Sequence, residues 1–462
     1  MLRILLLVLT IAACTVVRAQ ERPVALGGTI VTPDGTMDGW ILIQNGTIRG
    51  ISQNKPDTQN ATYIETRGVI YPGLVDIHNH PMYSAFPRWS PFRQFVDRYE
   101  WRRFEGYRWR VGLLASELLR IEKWFCDLLR FAELRALIGG TTSIQGISPI
   151  FSKERTEPYV PDCIKGLIRH LDWYSGLWGN EIGKERLHGV IDPLGANARM
   201  GEVKDKLNRG VIDRVIVHLS EGVDKTSGDE FRLLMELGLP ADKVVIIHGT
   251  ALRSQQLRQM AENRTALVWS PRSNHVLYGT TTDVKAAKEA RVTMALAPDW
   301  GITGGANLLA ELVYTWNLNV PPVREIFSEQ ELFEMSTQIP ARIANLQDKI
   351  GSLKVGFVAD LFVLRGDASD PYHALVRARP EDVQLVMIGG RAYFGTEGLV
   401  VSLAKASREA VSINYVDVCG STRALALPRS SADQGMIERL ITRLKNRFRE
   451  LGIGLAPLVE CP

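Results

Sequence analysis

Histidine and cysteine are scarce in this chain of 462 residues, with eight of one and five of the other, so each can be placed individually. Charge of one sign is lacking too. Lys and Arg number 55 against 51 for Asp and Glu, which removes the electrostatic case for nucleic acid as a partner. There is no long hydrophobic run. The one prominent apolar stretch, residues 4–13, falls well short of the roughly 20 residues a membrane-spanning helix needs. No internal repeat or low-complexity tract is found. What is present is ordinary for a protein with a large core, 45% apolar and 23% charged residues. The length leaves room for two or three domains, one of which could be an α/β barrel of over 200 residues. Its 40 glycines suit many strand-to-helix turns.

The first residues read as an address. Arg3 supplies a positive charge, residues 4–13 an apolar run, and Val17-Arg18-Ala19 a small-residue cleavage site, the features of a signal peptide over 1–19. Ile11-Ala12-Ala13-Cys14 also reads as a lipobox, which makes Cys14 a lipid anchor. Both readings take the protein out of the cytoplasm, secreted or periplasmic, where disulfides persist. Cys126, Cys163, Cys419 and Cys461 then allow three pairings, and proximity favours Cys126–Cys163 and Cys419–Cys461. Sequons at Asn45, Asn60 and Asn263 matter only in a eukaryotic host.

The histidines carry the chemistry. Gly73-Leu74-Val75-Asp76-Ile77-His78-Asn79-His80 is an apolar strand closing on two histidines at i and i+2, which share a face of a strand. His218 ends Arg214-Val215-Ile216-Val217, His248 ends Val244-Val245-Ile246-Ile247, and residues 292–298 run into Asp299. Four apolar strands that each deliver a nitrogen or oxygen donor at the C-terminal end make a site for a divalent metal. Strands expected at 74–80, 141–146, 166–171, 187–191, 214–219, 244–248, 266–270 and 293–297 alternate with helical stretches, the pattern of a parallel (β/α)8 barrel of the TIM type, α/β in class. Such barrels build their sites at the C-terminal strand ends.

These motifs resemble those of the amidohydrolase superfamily. G-L-V-D-I-H-N-H resembles its first-strand signature, V-H-L-S-E, I-I-H-G and A-P-D-W follow in its order, and Ser270-Pro271-Arg272-Ser273-Asn274 resembles a segment of its mononuclear deaminase and chlorohydrolase branch. Residues 351–361 resemble its closing strand pair. The resemblance covers residues 23–394. It implies a metal-dependent hydrolase that attacks a C–N bond of an amide, cyclic amide or amino-heterocycle with metal-activated water. The same site could serve a lactone, a dipeptide or a carbon–halogen bond. A non-catalytic relative would lack several ligands, and this chain lacks none.

On that resemblance His78, His80, His218 and Asp299 hold one ion, with zinc the leading candidate and iron or manganese also suited to nitrogen and oxygen donors. The fourth strand lacks the lysine of two-metal relatives, although Asp172 and Asp192 lie near strand ends where a carboxylate could bridge. Glu221, in H-x-x-E, is the proton shuttle. His248 polarises the substrate or binds the metal, and Asp299 binds metal and orients water. Arg272, Asn274 and Trp300 are candidates for holding a small-molecule substrate. His170, His188 and His373 have no such company and read as packing residues.

Elsewhere, the segment after the first strand interleaves Trp89, Phe92, Phe95, Tyr99, Trp101, Phe104, Tyr107 and Trp109 with arginines, a lid candidate whose Phe92, Phe95 and Tyr99 would share a helical face. Residues 20–72 and 343–400 flank the barrel, 73–342, and read as the two parts of one small β-sandwich, Asn45-Gly46 marking a hairpin. Residues 401–462 form a helical extension. Its amphipathic helix over 435–451, with Ile437, Leu440, Ile441 and Leu444 on one face, packs on the barrel or, in a second reading, lies on a membrane.

Overall fold

The computed structural model describes residues 22–147, 162–164, 166–173, 185–195, 198–407, 410–428 and 435–461. The stretch expected to be a signal peptide, residues 1–19 with Cys14, lies outside them.

Eight short parallel strands appear at the expected places: β1 Leu74–Asp76, β2 Thr141–Ile144, β3 Arg169–His170, β4 Leu187–Val190, β5 Arg214–Leu219, β6 Val244–His248, β7 Ala266–Trp269 and β8 Met294–Leu296. β8, β7, β6, β5 and β4 form one sheet in that order, and β1, β2 and β3 a second. Every pairing in both is parallel. The β-branched runs of β5 and β6 are buried throughout their centres, as strands covered on both faces should be. The two sheets touch at both margins. Asn79 bridges Asp299 in parallel, and Arg186 N donates to Asp172 O at 2.8 Å.

β1 is shorter than expected. It stops at Asp76, whose carboxylate accepts from His78 N at 3.2 Å and from Asn79 Nδ2 at 2.6 Å. His78 and His80 therefore stand beyond the strand, on backbone tied to Asp299 by the His80 N to Asp299 O bond of 2.7 Å.

The flanking segments build one continuous sheet of nine strands, not two separate ones. Its order is Val411–Val418, Ser421–Pro428, Arg391–Gly395, Val383–Ile388, Leu361–Leu364, Thr62–Pro72, Val24–Thr32, Gly35–Gln44 and Thr47–Ser52. Ile41, Ile43 and Ile48 from one end share a core with Leu361, Val363, Leu385 and Met387, so the sandwich is a single sheet turned back on itself. The extension is not all helical, because it contributes the hairpin 411–428. A hairpin this long pairs at full register and so escapes a search for helical periodicity.

The helix Met436–Glu450 buries Ile437, Leu440, Leu444 and Phe448. Phe448 meets Phe86 with ring centres 5.7 Å apart, and Arg443 pairs with Asp127 of the helix Glu122–Ile138. Its apolar face is thus used against the protein. No helix among the described residues is long and apolar enough to cross a membrane. Both favoured disulfides are formed, Cys126–Cys163 and Cys419–Cys461.

Candidate metal centre and active site

The C-terminal ends of β1, β5, β6 and β8 converge. One donor atom from each of His78, His218, His248 and Asp299 lies within 4.8 Å of all the others, and all four residues are buried. His80 stands at the edge of this group, its Nε2 3.2 Å from His218 Nε2 and 3.4 Å from Asp299 Oδ1. His248 is thus closer to the donor set than the resemblance implied. Asp299 Oδ1 lies 3.1 Å from His78 Nε2, and its Oδ2 accepts from Ser273 Oγ at 2.5 Å.

The backbone is bent to achieve this. Ser220, His248 and Asp299 have φ of 52°, 67° and 67°, a left-handed conformation that non-glycine residues seldom adopt and that clusters where function over-determines structure. Gly146 allows the closest approach: a Cβ there would meet Asn79 O at 1.7 Å, so only glycine lets β2 pass the His78–His80 segment.

The donor chemistry fits a divalent metal. Burial pushes His78 down to about 4 and His218 well below its ordinary value, so both rings are neutral, the ligand form. Burial would raise Asp299, but its hydrogen bond with His78 and the imidazoles gathered around it outweigh that and hold it anionic. The Nε2 atoms of His80 and His218 face each other, an arrangement a shared cation relieves.

Glu221 sits beside this set. Tyr278 Oη donates to Glu221 Oε1 at 2.7 Å, Trp101 Nε1 donates to Tyr278 Oη at 2.7 Å, and Glu221 Oε2 is 3.8 Å from His248 Nε2. Burial and the carboxylate next to it raise Tyr278 far above the usual phenol range, so it stays a donor. Arg98, though one of the lid arginines, is buried. Its Nη1 donates to His218 O at 2.6 Å and its Nη2 reaches Glu230, Asp192 and Tyr99.

A cavity of about 120 Å³ opens on these groups. Tyr83, Trp101, Tyr107 and Trp300 wall it, with Trp101 and Trp300 ring centres 5.7 Å apart, and Arg102 stands among the lining residues. The lid segment therefore covers the site. Its helix, Arg98–Arg103, begins only where Asp97 caps Glu100 N, so Phe92 is left exposed while Phe95 is buried, and the expected shared helical face does not form.

The three substrate candidates separate. Trp300 lines the cavity. Asn274 does not reach it; its Oδ1 lies 2.9 Å from His248 Nδ1, and its Nδ2 donates to Thr281, so it orients the imidazole. Arg272 points away, over Tyr314 and toward Glu460, because its helix turns the side chain outward. Neither reserve carboxylate joins the metal set. Asp172 accepts from Gln145 Nε2, Gly146 N and Ile147 N, and Asp192 pairs with Arg98. His170, His188 and His373 pair with Glu133, Glu185 and Glu329, away from the donor set. Sequence reasoning placed Trp101 in the lid segment but missed Tyr278 and Ser273 as parts of the site. Of these two only Ser273, inside the S-P-R-S-N segment, had a local signal.

An amidohydrolase family model matches residues 214–393. The 5'-deoxyadenosine deaminase of Methanopyrus kandleri is 23% identical over 79% of this chain and 92% of its own length. Among solved structures, the atrazine chlorohydrolase of Arthrobacter aurescens, complexed with zinc, superposes with a TM-score of 0.61 at 16% identity, over 92% of this chain and 99% of that one. An adenosine deaminase from Xanthomonas campestris with bound zinc gives 0.56 at 17%, over 83% and 97%. The donors at and just beyond the C-terminal ends of β1, β5, β6 and β8 and the matched segment point the same way: over residues 214–393 the chain is similar to the amidohydrolase family, and in fold it is similar to solved deaminases and chlorohydrolases.

Proposed function

We propose that this protein hydrolyses the C–N bond of an amino-substituted aromatic heterocycle and releases ammonia. The observation that carries the reading is Glu221, held by Tyr278 beside the histidine cluster inside a cavity walled by four aromatic rings. We read the two parallel sheets as one closed (β/α)8 barrel and the donor set as a site for a single metal, since Asp172 and Asp192 are both engaged elsewhere.

His78, His80, His218 and Asp299 would hold the ion, with His248 next to it. A divalent metal there supplies Lewis acidity that brings the pKa of water toward neutrality. The residues do the rest. Glu221 Oε2 takes the proton from the attacking water and delivers it to the leaving nitrogen, while Tyr278 keeps the carboxylate from rotating. His248, oriented by Asn274 through Nδ1, turns its Nε2 to the cavity beside Glu221. Ser273 fixes Asp299. The carbon gains an oxygen, the C–N bond breaks, and ammonia leaves.

The rings of Trp101 and Trp300 suit a planar substrate by stacking. Arg102 makes no hydrogen bond or ion pair among the described residues, so it is available to an acidic substituent at the cavity mouth. The two disulfides support export, since such bonds persist outside the cytoplasm. A carbon–chlorine bond is the second reading, favoured by the likeness to the chlorohydrolase. Zinc-loaded protein incubated with adenosine, guanine and atrazine, with ammonia and chloride assayed separately, tests both. Chloride release without ammonia would replace the first reading by the second.

A further inference from the structure

The C-terminal tail ends against the support of the active site. Glu460 lies amid three guanidinium groups. Arg88 Nε and Nη2 each donate to it at 2.6 Å, Arg135 Nη2 donates at 3.3 Å, and Arg272 Nη1 is 3.9 Å away. Arg135 is 1% exposed and burial pushes it down to about 10. The other acid near the cluster is Glu311, whose oxygens are taken by Arg272 N and Gly305 N. Without Glu460, three like charges would crowd a mostly buried space.

The same arginines hold the cavity walls. Arg88 Nη1 donates to Gly304 O at 2.8 Å, on the loop that carries Asp299 and Trp300. Arg135 Nη1 donates to Ser84 O at 2.6 Å, one residue after Tyr83. The tail adds its own bond, Ala456 N to Ala85 O at 2.9 Å. Glu460 is followed by Cys461, which is bonded to Cys419 in the turn between the strands Val411–Val418 and Ser421–Pro428. The disulfide thus anchors the carboxylate to the nine-stranded sheet.

We propose that Glu460 is a positioning residue for the active site, and that the Cys419–Cys461 disulfide keeps it in place. Opening that bond, with a dithiol oxidised to its own disulfide as the two cysteines gain the electrons and protons, frees the last residues. Arg88 and Arg135 then lose their counter-charge, and the loops bearing Tyr83 and Trp300 lose a common support. The site loosens while the barrel stays folded. The inference rests on the hydrolase reading for its kinetic part alone.

The test compares Glu460→Gln, Glu460→Asp and the double variant Cys419→Ser/Cys461→Ser in the zinc-loaded full chain. Readouts are zinc content, the melting curve, the rate of tryptic cleavage at the lid arginines, and KM against kcat on the substrate identified by the screen. Glu460→Gln and the double cysteine variant should keep their zinc and a single cooperative transition. Both should be cleaved faster in the lid and should raise KM about tenfold, within the range produced by displaced positioning groups. Glu460→Asp should recover most of the parental behaviour. Parental lid cleavage in both variants overturns the proposal, as does loss of zinc and fold in Glu460→Gln and Glu460→Asp alike. If no substrate turns over, the hydrolase reading fails while cleavage and zinc content still decide this one.

Discussion

Tyr278 donates its hydroxyl hydrogen to Glu221 across 2.7 Å and receives one from the indole of Trp101 at the same distance. A lid residue, a residue of the helix after β7 and Glu221, the proposed general base after β5, are thereby joined in one buried chain. Tyr278→Phe removes the middle link and leaves a buried carboxylate oxygen and an indole N–H unpaired, at a cost of about 1–3 kcal/mol. The expected result is a fall in kcat of roughly tenfold with zinc content unchanged, since the base is still present but less well held. Steady-state kinetics with metal analysis on the same preparation checks it.

The five donors near the metal position differ in their alternatives. His80 and His218 face each other through Nε2 at 3.2 Å. His248, in contrast, is fixed by Asn274 and has Glu221 on its other side. His80→Ala and Asp299→Asn should therefore purify with little zinc, and a strong chelator should abolish activity of the parent. His248→Asn should keep its zinc and lose rate. Zinc measured per chain decides this, and full metal content in His80→Ala would place His248 in the coordinating set instead.

Arg169 and Asp360 show why the Gly351–Leu361 stretch matters. Arg169 Nε and Nη2 donate to Asp360 at 2.6 and 2.8 Å, and Gly389 N adds a third bond at 2.7 Å. The pair is buried and joins β3 to the nine-stranded sheet. Breaking one side strands a buried charge, so Asp360→Asn should lower unfolding stability by about 3–5 kcal/mol, whereas replacing both partners with apolar residues of similar size should cost much less. Urea unfolding of the single and double variants gives the comparison.

Much of the site could be read from the chain because its donors sit where apolar runs stop. β5 and β6 are continuous β-branched runs, and His218 and His248 are their last or nearly last residues. The rest depended on contacts between distant segments. Tyr278 lies 57 residues from Glu221, and nothing near it in sequence marks it as a partner. Asn274 and Arg272 were adjacent to the right strand, yet one serves His248 and the other faces the tail, because the rotation of a short helix is set by what packs on it. The hairpin 411–428 escaped for a similar reason, its apolar alternation having no neighbour in the sequence to which it visibly belongs.

Glu221 is where the proposed chemistry is most exposed to test. Its carboxylate accepts from Tyr278 and lies 3.8 Å from His248, and it is not among the four donors that lie within reach of one another. Glu221→Gln is close to isosteric and can still accept from Tyr278 through its amide oxygen, so fold and zinc content should be preserved. An amide cannot take the proton from water. General acid–base groups typically contribute about 10²- to 10⁴-fold, so kcat should fall by that order while KM changes little. Asp299→Asn should behave otherwise, losing metal and rate together. Near-parental turnover in Glu221→Gln on the substrate that releases ammonia would refute the role and leave Asp299, held by Ser273 at 2.5 Å, as the group that accepts the proton.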